Sequence, residues 1–148
     1  MTQEEFIAAF RKPPTDQRQG EEYDHIVAGL RLQLRELSAK QQFQILFPIA
    51  VRSPYVGSFP VLTAAELLEE LSPECPIPCE DAIRALLPEW SVSLEQVPFY
   101  LATCFGSTRV YQAVANLEAE LKDESQRSTL KTVSYWVHVR EGTWPTKS

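Results

Sequence analysis

The side chains in this sequence that are best suited to chemistry are three cysteines and two histidines. A thiol beside an imidazole can act as a nucleophile with its base, and the same two groups are common zinc ligands. Cys75 and Cys79 are separated by three residues within a proline-rich stretch. The remaining candidates, Cys104 and His138, lie far along the chain. Cys75 and Cys79 are held in a proline-rich connector while Cys104 is predicted to lie on the inner side of a helix, so we expect buried or loop thiols, no metal site and no cofactor.

A catalytic thiol would also need a base within reach. His25 follows Asp24 in a predicted helix, and neighbours in helical sequence do not face each other. The chain has only five glycines and lacks both a glycine-rich phosphate loop and a His-Glu-x-x-His motif. We therefore expect a protein that is not an enzyme. A site assembled from dispersed residues, such as Cys79 with His25 or His138, is the competing enzymatic hypothesis.

The composition is typical of a globular protein. The 148 residues are 44% hydrophobic and 23% charged, which predicts a single helical domain over 1–148. A formal net charge of −6 disfavours non-specific binding to nucleic acid or to anionic lipid. The number of cysteines is low and odd, and the N-terminus is unlike a secretory signal. Both features predict a cytoplasmic location. No apolar run is long enough to cross a bilayer, so no membrane partner is expected.

The elements that must position any site are predicted to be helices. Apolar residues recur at helical spacing from Glu21 to Leu37. A Ser or Thr followed three residues later by Gln or Glu predicts a capping box at the start of a helix. Three such pairs are Ser38 with Gln41, Thr63 with Glu66, and Ser93 with Gln96. We therefore predict an all-α fold, either a compact bundle or a short solenoid-like array of about six or seven short helices.

Three segments are less regular. Residues 11–20 combine two prolines with a polar run, which predicts a loop or linker. Residues 53–60 contain two prolines and a glycine, which also predicts a loop. Residues 130–139 fit a helix by one spacing and a strand by another. A lone strand would have no pairing partner in a helical chain, so the helix is favoured.

Residues 93–122 could form two helices that meet at Gly106, with Ser107 or Thr108 as the cap of the second. Such a pair suggests a helix-turn-helix, in which Arg109, Gln112 and Asn116 would contact DNA. The acidic residues that follow in the second helix would repel the phosphate backbone. A DNA-binding regulator using 93–122 is therefore the alternative function, and an ordinary helical hairpin is favoured.

The C-terminal part of the chain is rich in aromatic residues. Tyr135 and Trp136 are adjacent, so in a helix they cannot both face the core, and one is expected to be partly exposed near Arg140. Exposed aromatic side chains often anchor protein interfaces. The sequence therefore predicts a partner contact at Tyr135, Trp136, Arg140 and Trp144. The function it favours is a non-enzymatic protein-interaction or regulatory module that acts through a protein partner.

Overall fold

A computed structural model describes residues 1–11, 19–52 and 58–143. These residues form eight α-helices and contain no strand. The helices are α1 (Gln3–Ala8), α2 (Gln19–Arg35), α3 (Ala39–Ala50), α4 (Ser58–Leu71), α5 (Cys79–Arg84), α6 (Gln96–Phe105), α7 (Ser107–Glu120) and α8 (Glu124–Glu141). The all-α prediction is confirmed. The eight helices of the described residues slightly exceed the predicted six or seven.

The helices pack as a compact bundle around α6, which contacts α4, α5, α7 and α8. Val97, Tyr100 and Leu101 of α6 are fully buried. Helices α3 and α4 form the most extensive pair, and α1 and α2 cover that end of the bundle. Apolar side chains from all of these helices form one core, whose removal from water is the main favourable term in folding.

One of the three predicted capping boxes is confirmed, and a hydroxyl also caps α1. At α3, the Ser38 hydroxyl accepts a hydrogen bond from the Gln41 backbone N–H at 3.2 Å. The Gln41 side-chain oxygen in turn accepts from the Ser38 backbone N–H at 3.0 Å, which completes the capping box. At α1, Thr2 accepts from the Glu5 backbone N–H at 3.1 Å. These bonds satisfy N–H groups that have no partner within the helix.

The capping boxes predicted at Thr63 and Ser93 are wrong. Thr63 lies inside α4 and is fully buried, and its hydroxyl shares a 2.7 Å hydrogen bond with the Tyr23 hydroxyl of α2. Ser93 precedes α6, which begins at Gln96, and its hydroxyl bonds Ser91 at 3.0 Å. Both helices carry a proline in their first turn, where a backbone N–H is not needed.

The predicted loops are partly corrected. In the segment 53–60, residues 58–60 are the first turn of α4, and 53–57 lie outside the described residues. In the segment 11–20, Gln19 and Gly20 belong to α2, Arg11 is not helical, and 12–18 lie outside the described residues. Both corrections arise because a helix can start beside a proline-containing or polar segment.

The ambiguous segment 130–139 is helical, as favoured, and lies within α8. Leu130, Val133 and Val137 are fully buried, which matches helical rather than strand periodicity. Asp123 caps this helix by accepting from the Gln126 backbone N–H at 2.9 Å, and Gly142 ends it in the left-handed conformation.

Gly106 alone connects α6 and α7. Its φ of 83° is positive, as expected for a glycine that ends a helix, but its ψ of 149° is extended rather than left-handed helical. The next residue, Ser107, already belongs to α7. A cap at Ser107 or Thr108 is therefore wrong, and the Ser107 hydroxyl instead donates to Glu141 of α8 at 2.5 Å.

Within the described part of the chain, no helix is both long enough and apolar enough to cross a membrane.

Candidate partner-binding surface

Trp136 on α8 is held against the segment that joins α5 to α6. Its indole N–H donates to the backbone carbonyl of Val92 at 2.8 Å. The indole is partly buried, whereas the Val92 side chain is 47% exposed. A tryptophan that is partly buried usually finds a partner for its N–H, as here. The hydrogen bond therefore holds the Trp136 ring beside the exposed side chain of Val92.

Tyr135, the neighbour of Trp136, is 39% exposed. The two ring centroids are 5.2 Å apart, and the ring planes meet at 63°, an edge-to-face arrangement that aromatic pairs favour. Tyr135 and Val92 thus both adjoin Trp136. This geometry agrees with the expectation that one of the two adjacent aromatic residues would be partly exposed.

Arg140 follows Trp136 by one helical turn on α8. One guanidinium nitrogen donates to the Glu141 carboxylate at 2.6 Å, and another donates to the Thr103 hydroxyl of α6 at 3.2 Å. These bonds hold the guanidinium where α8 meets α6. We call Val92, Thr103, Tyr135, Trp136 and Arg140 the Trp136 surface.

Three carboxylates interact electrostatically near this surface. They belong to Glu66 and Glu69 of α4 and to Glu95, the residue before α6. Partial burial, followed by the charge of Glu95, raises the pKa of Glu66. The same two causes raise the pKa of Glu69, and the nearby Arg140 partly opposes them. Arg140 therefore acts on Glu69 as well as on its own hydrogen-bond partners, and it compensates only part of the negative charge of the three carboxylates.

Of the four predicted contact residues, the structure brings three together: Tyr135, Trp136 and Arg140. The fourth, Trp144, lies outside the described residues. The sequence did not reveal Val92 or Thr103, because they act through contacts with residues about 40 positions away. The sequence also did not reveal the cluster of Glu66, Glu69 and Glu95, although Glu66 and Glu69 are three residues apart and therefore share one face of α4.

The thiol of Cys79 and the imidazoles of His25 and His138 lie in different surroundings. Burial raises the pKa of Cys79 to about 11, which disfavours its thiolate form. His25 is exposed on α2. His138 stacks on Tyr111 with ring centroids 4.5 Å apart, and its Nδ1 lies 3.1 Å from the Tyr111 hydroxyl and 3.0 Å from the Thr143 hydroxyl. None of these contacts pairs a thiol with an imidazole.

The metal-ligand candidates are likewise dispersed. Cys75 and Cys104 are half-buried, Cys79 is buried, and all three are free thiols. Over residues 1–11, 19–52 and 58–143, no group of three or more His, Cys, Asp or Glu side chains is arranged to hold a metal ion.

Two of the three residues expected to contact DNA from α7, Arg109 and Asn116, contact Glu80 of α5 instead. Arg109 donates to the Glu80 carboxylate at 2.6 Å, and the Asn116 amide lies 3.4 Å from the other oxygen of that carboxylate. The Arg109 hydrogen bond lowers the pKa of Glu80 to about 2, so Glu80 is ionised at neutral pH. A fixed carboxylate at the exposed side of α7 would repel phosphate and therefore opposes DNA binding there.

Comparison of the chain with protein families, with curated proteins and with solved structures gives no match.

Proposed function

We propose that this chain is a non-enzymatic protein-interaction or regulatory module that binds a protein partner through the Trp136 surface. The observation that carries this proposal is the 2.8 Å hydrogen bond from Trp136 to the Val92 carbonyl. It holds an ordered aromatic surface in place before a partner arrives, and such preorganisation lowers the entropy cost of binding. Aromatic and arginine side chains that are already ordered are the residue types that contribute most to protein interfaces.

The adjoining charges favour a partner segment that carries positive charge. Glu66, Glu69 and Glu95 repel one another, and Arg140 offsets only part of that negative charge. A lysine or arginine from the partner would complement these carboxylates, while an apolar partner side chain would cover Val92 and Tyr135. The same charges oppose a nucleic-acid partner.

The test compares two surface variants with one matched control in cells that naturally express the chain. Tagged wild type, Tyr135→Ala and Val92→Ser are purified, and the co-purifying proteins are quantified. Leu32→Ser is the control, because Leu32 is 64% exposed and belongs to α2, far along the chain from this surface. Thermal unfolding of each purified variant confirms that its fold is intact.

The proposal predicts that one protein is retained by wild type and by Leu32→Ser and is reduced about tenfold or more by either surface variant. Equal recovery of every co-purifying protein by all four chains would contradict it. Sedimentation velocity of the four purified chains shows whether the partner is a second copy, since self-association would then follow the same order.

A further inference from the structure

Two of the three thiols converge where the connector between α4 and α5, residues 72–78, packs on α6. The hydroxyl of Tyr100 donates to the Pro73 carbonyl at 2.7 Å. One turn further along α6, the Cys104 thiol donates to the same carbonyl at 3.6 Å, a normal distance for a sulfur donor. Tyr100 and Cys104 thus hold the connector by a single backbone oxygen.

Cys75 lies two residues beyond that carbonyl and contacts the same groups. Burial is the main cause that raises the pKa of Cys75, and the nearby Cys104 thiol raises it further. Burial also raises the pKa of Tyr100, to which both thiols contribute. The Cys75 thiol donates to the Ile77 carbonyl at 3.6 Å, a weak bond that a rotation of the side chain would break.

Access distinguishes this pair from the third thiol. Cys75 and Cys104 are half-buried, whereas Cys79 is only 2% exposed. Their neighbours contain no assembled metal site, and the contact surface described above does not use them. A small reagent can therefore reach the pair but not Cys79.

We propose that Cys75 and Cys104 are a modification site that forms an intramolecular disulfide when the chain meets a small-molecule disulfide such as oxidised glutathione. The Cys75 thiolate attacks one sulfur of the reagent, and the first reduced glutathione leaves as a thiolate. The Cys104 thiolate then attacks the sulfur of Cys75 and displaces the second glutathione. The two protein sulfurs are oxidised, the reagent receives two electrons, and the two thiol protons pass to the leaving thiolates or to solvent.

The surroundings of the pair make this reaction depend on pH. Burial is the main cause that raises the pKa of both thiols, and the nearby carboxylate of Glu74 raises the pKa of Cys104 further. The other titratable groups facing the pair are Tyr100 on α6 and Cys79 at the start of α5. Both thiols are protonated at neutral pH, so cross-linking is slow there and accelerates as pH rises, by up to about tenfold per pH unit.

Such a cross-link would join the connector that follows α4 to α6. Glu66 and Glu69 lie on α4 and Glu95 immediately precedes α6, yet the disulfide requires no partner to form. The proposal is thus independent of the proposed function, and neither outcome decides the other.

The experiment exposes the full folded chain to oxidised glutathione and identifies its products by mass spectrometry after alkylation and digestion without reduction. The proposal predicts the loss of two hydrogens and a peptide that links Cys75 to Cys104, with Cys79 still available to alkylate after unfolding. Cys79→Ser should form the same link. Cys75→Ser and Cys104→Ser should stop at a glutathione adduct on the remaining exposed thiol.

Three results would overturn the proposal: a link between Cys75 and Cys79, stable glutathione adducts without any link in wild type, or no oxidation of the pair up to about pH 8.5. Circular dichroism before and after treatment establishes that the products come from the folded chain. Cys104→Ala provides an apolar replacement at that position if the polar Cys104→Ser does not fold.

Discussion

Arg109 of α7 donates a 2.6 Å hydrogen bond to the carboxylate of Glu80 on α5, and the two side chains are 40% and 26% exposed. This bond connects α5 to α7 and lowers the pKa of Glu80 to about 2. A lowered carboxyl pKa means that ionised Glu80 contributes to stability above its ordinary pKa. That contribution is lost as pH falls from the ordinary value toward about 2.

Glu80→Gln is expected to lower the free energy of unfolding at neutral pH by about 1 kcal/mol or less, because the ion pair is partly solvated. The difference between wild type and variant should shrink as pH falls toward about 2. Urea unfolding at a series of pH values measures it. Glu120→Gln is the control, because Glu120 pairs with Arg84 at a more exposed site and should have a smaller effect. A constant Glu80→Gln difference at all pH values would contradict the assignment.

Glu66→Gln is expected to change the free energy of unfolding in the opposite direction from Glu80→Gln. Its raised pKa means that the folded state disfavours the charged form, so stability decreases as pH rises through that pKa. Removing the charge should therefore raise the free energy of unfolding at neutral pH, by about 0.5 kcal/mol or less for a surface residue. Glu70→Gln on the same helix is the control and should not stabilise the chain, since Glu70 accepts a 2.6 Å bond from Arg31. Equal effects of the two variants in urea unfolding would refute the interpretation.

Ser38→Ala and Ser93→Ala form a matched pair. Loss of the observed capping box should cost about 1 kcal/mol in Ser38→Ala. Ser93→Ala should change stability by less than about 0.5 kcal/mol, because its hydroxyl bonds only Ser91. Urea unfolding of both variants provides the comparison. A larger effect at Ser93 would mean that α6 begins earlier than Gln96.

Tyr100→Phe should destabilise the chain by about 1–2 kcal/mol, because it removes a fully buried hydroxyl that donates to Pro73 at 2.7 Å. Tyr111→Phe is the control and should cost less, since Tyr111 is only half-buried and His138 keeps its contact with Thr143. Thermal and urea unfolding report both changes. Equal losses would show that the Pro73 contact contributes nothing beyond an ordinary half-buried hydrogen bond.

The all-helical architecture was predictable because apolar residues recur at helical spacing within the segments. Leu30 and Leu34, four residues apart in the stripe from Glu21 to Leu37, both become buried. Caps were less predictable, because the same four-residue pattern forms a box at Ser38 but not at Thr63. Thr63 is drawn into the helix interior by burial and by its bond to Tyr23, a residue 40 positions away. Tertiary contacts thus override a local signal.

The candidate surface was predictable only in part. Two adjacent aromatic residues in a helix must diverge, and this local constraint led to Tyr135 and Trp136. The Val92 carbonyl that receives the indole N–H belongs to a segment 44 residues earlier, and no local pattern encodes that pairing. The approach of Glu95 to Glu66 and Glu69 also depends on how α4 packs on α6.

The single-residue junction at Gly106 also limits how chain length can vary. A residue with a side chain would be strained at a φ of 83°, and an added residue would rotate everything that follows by about a quarter turn or more. Insertions between α6 and α7 should therefore be poorly tolerated, whereas the longer segment between α5 and α6 can accommodate them. In homologous chains, length differences should fall outside this junction.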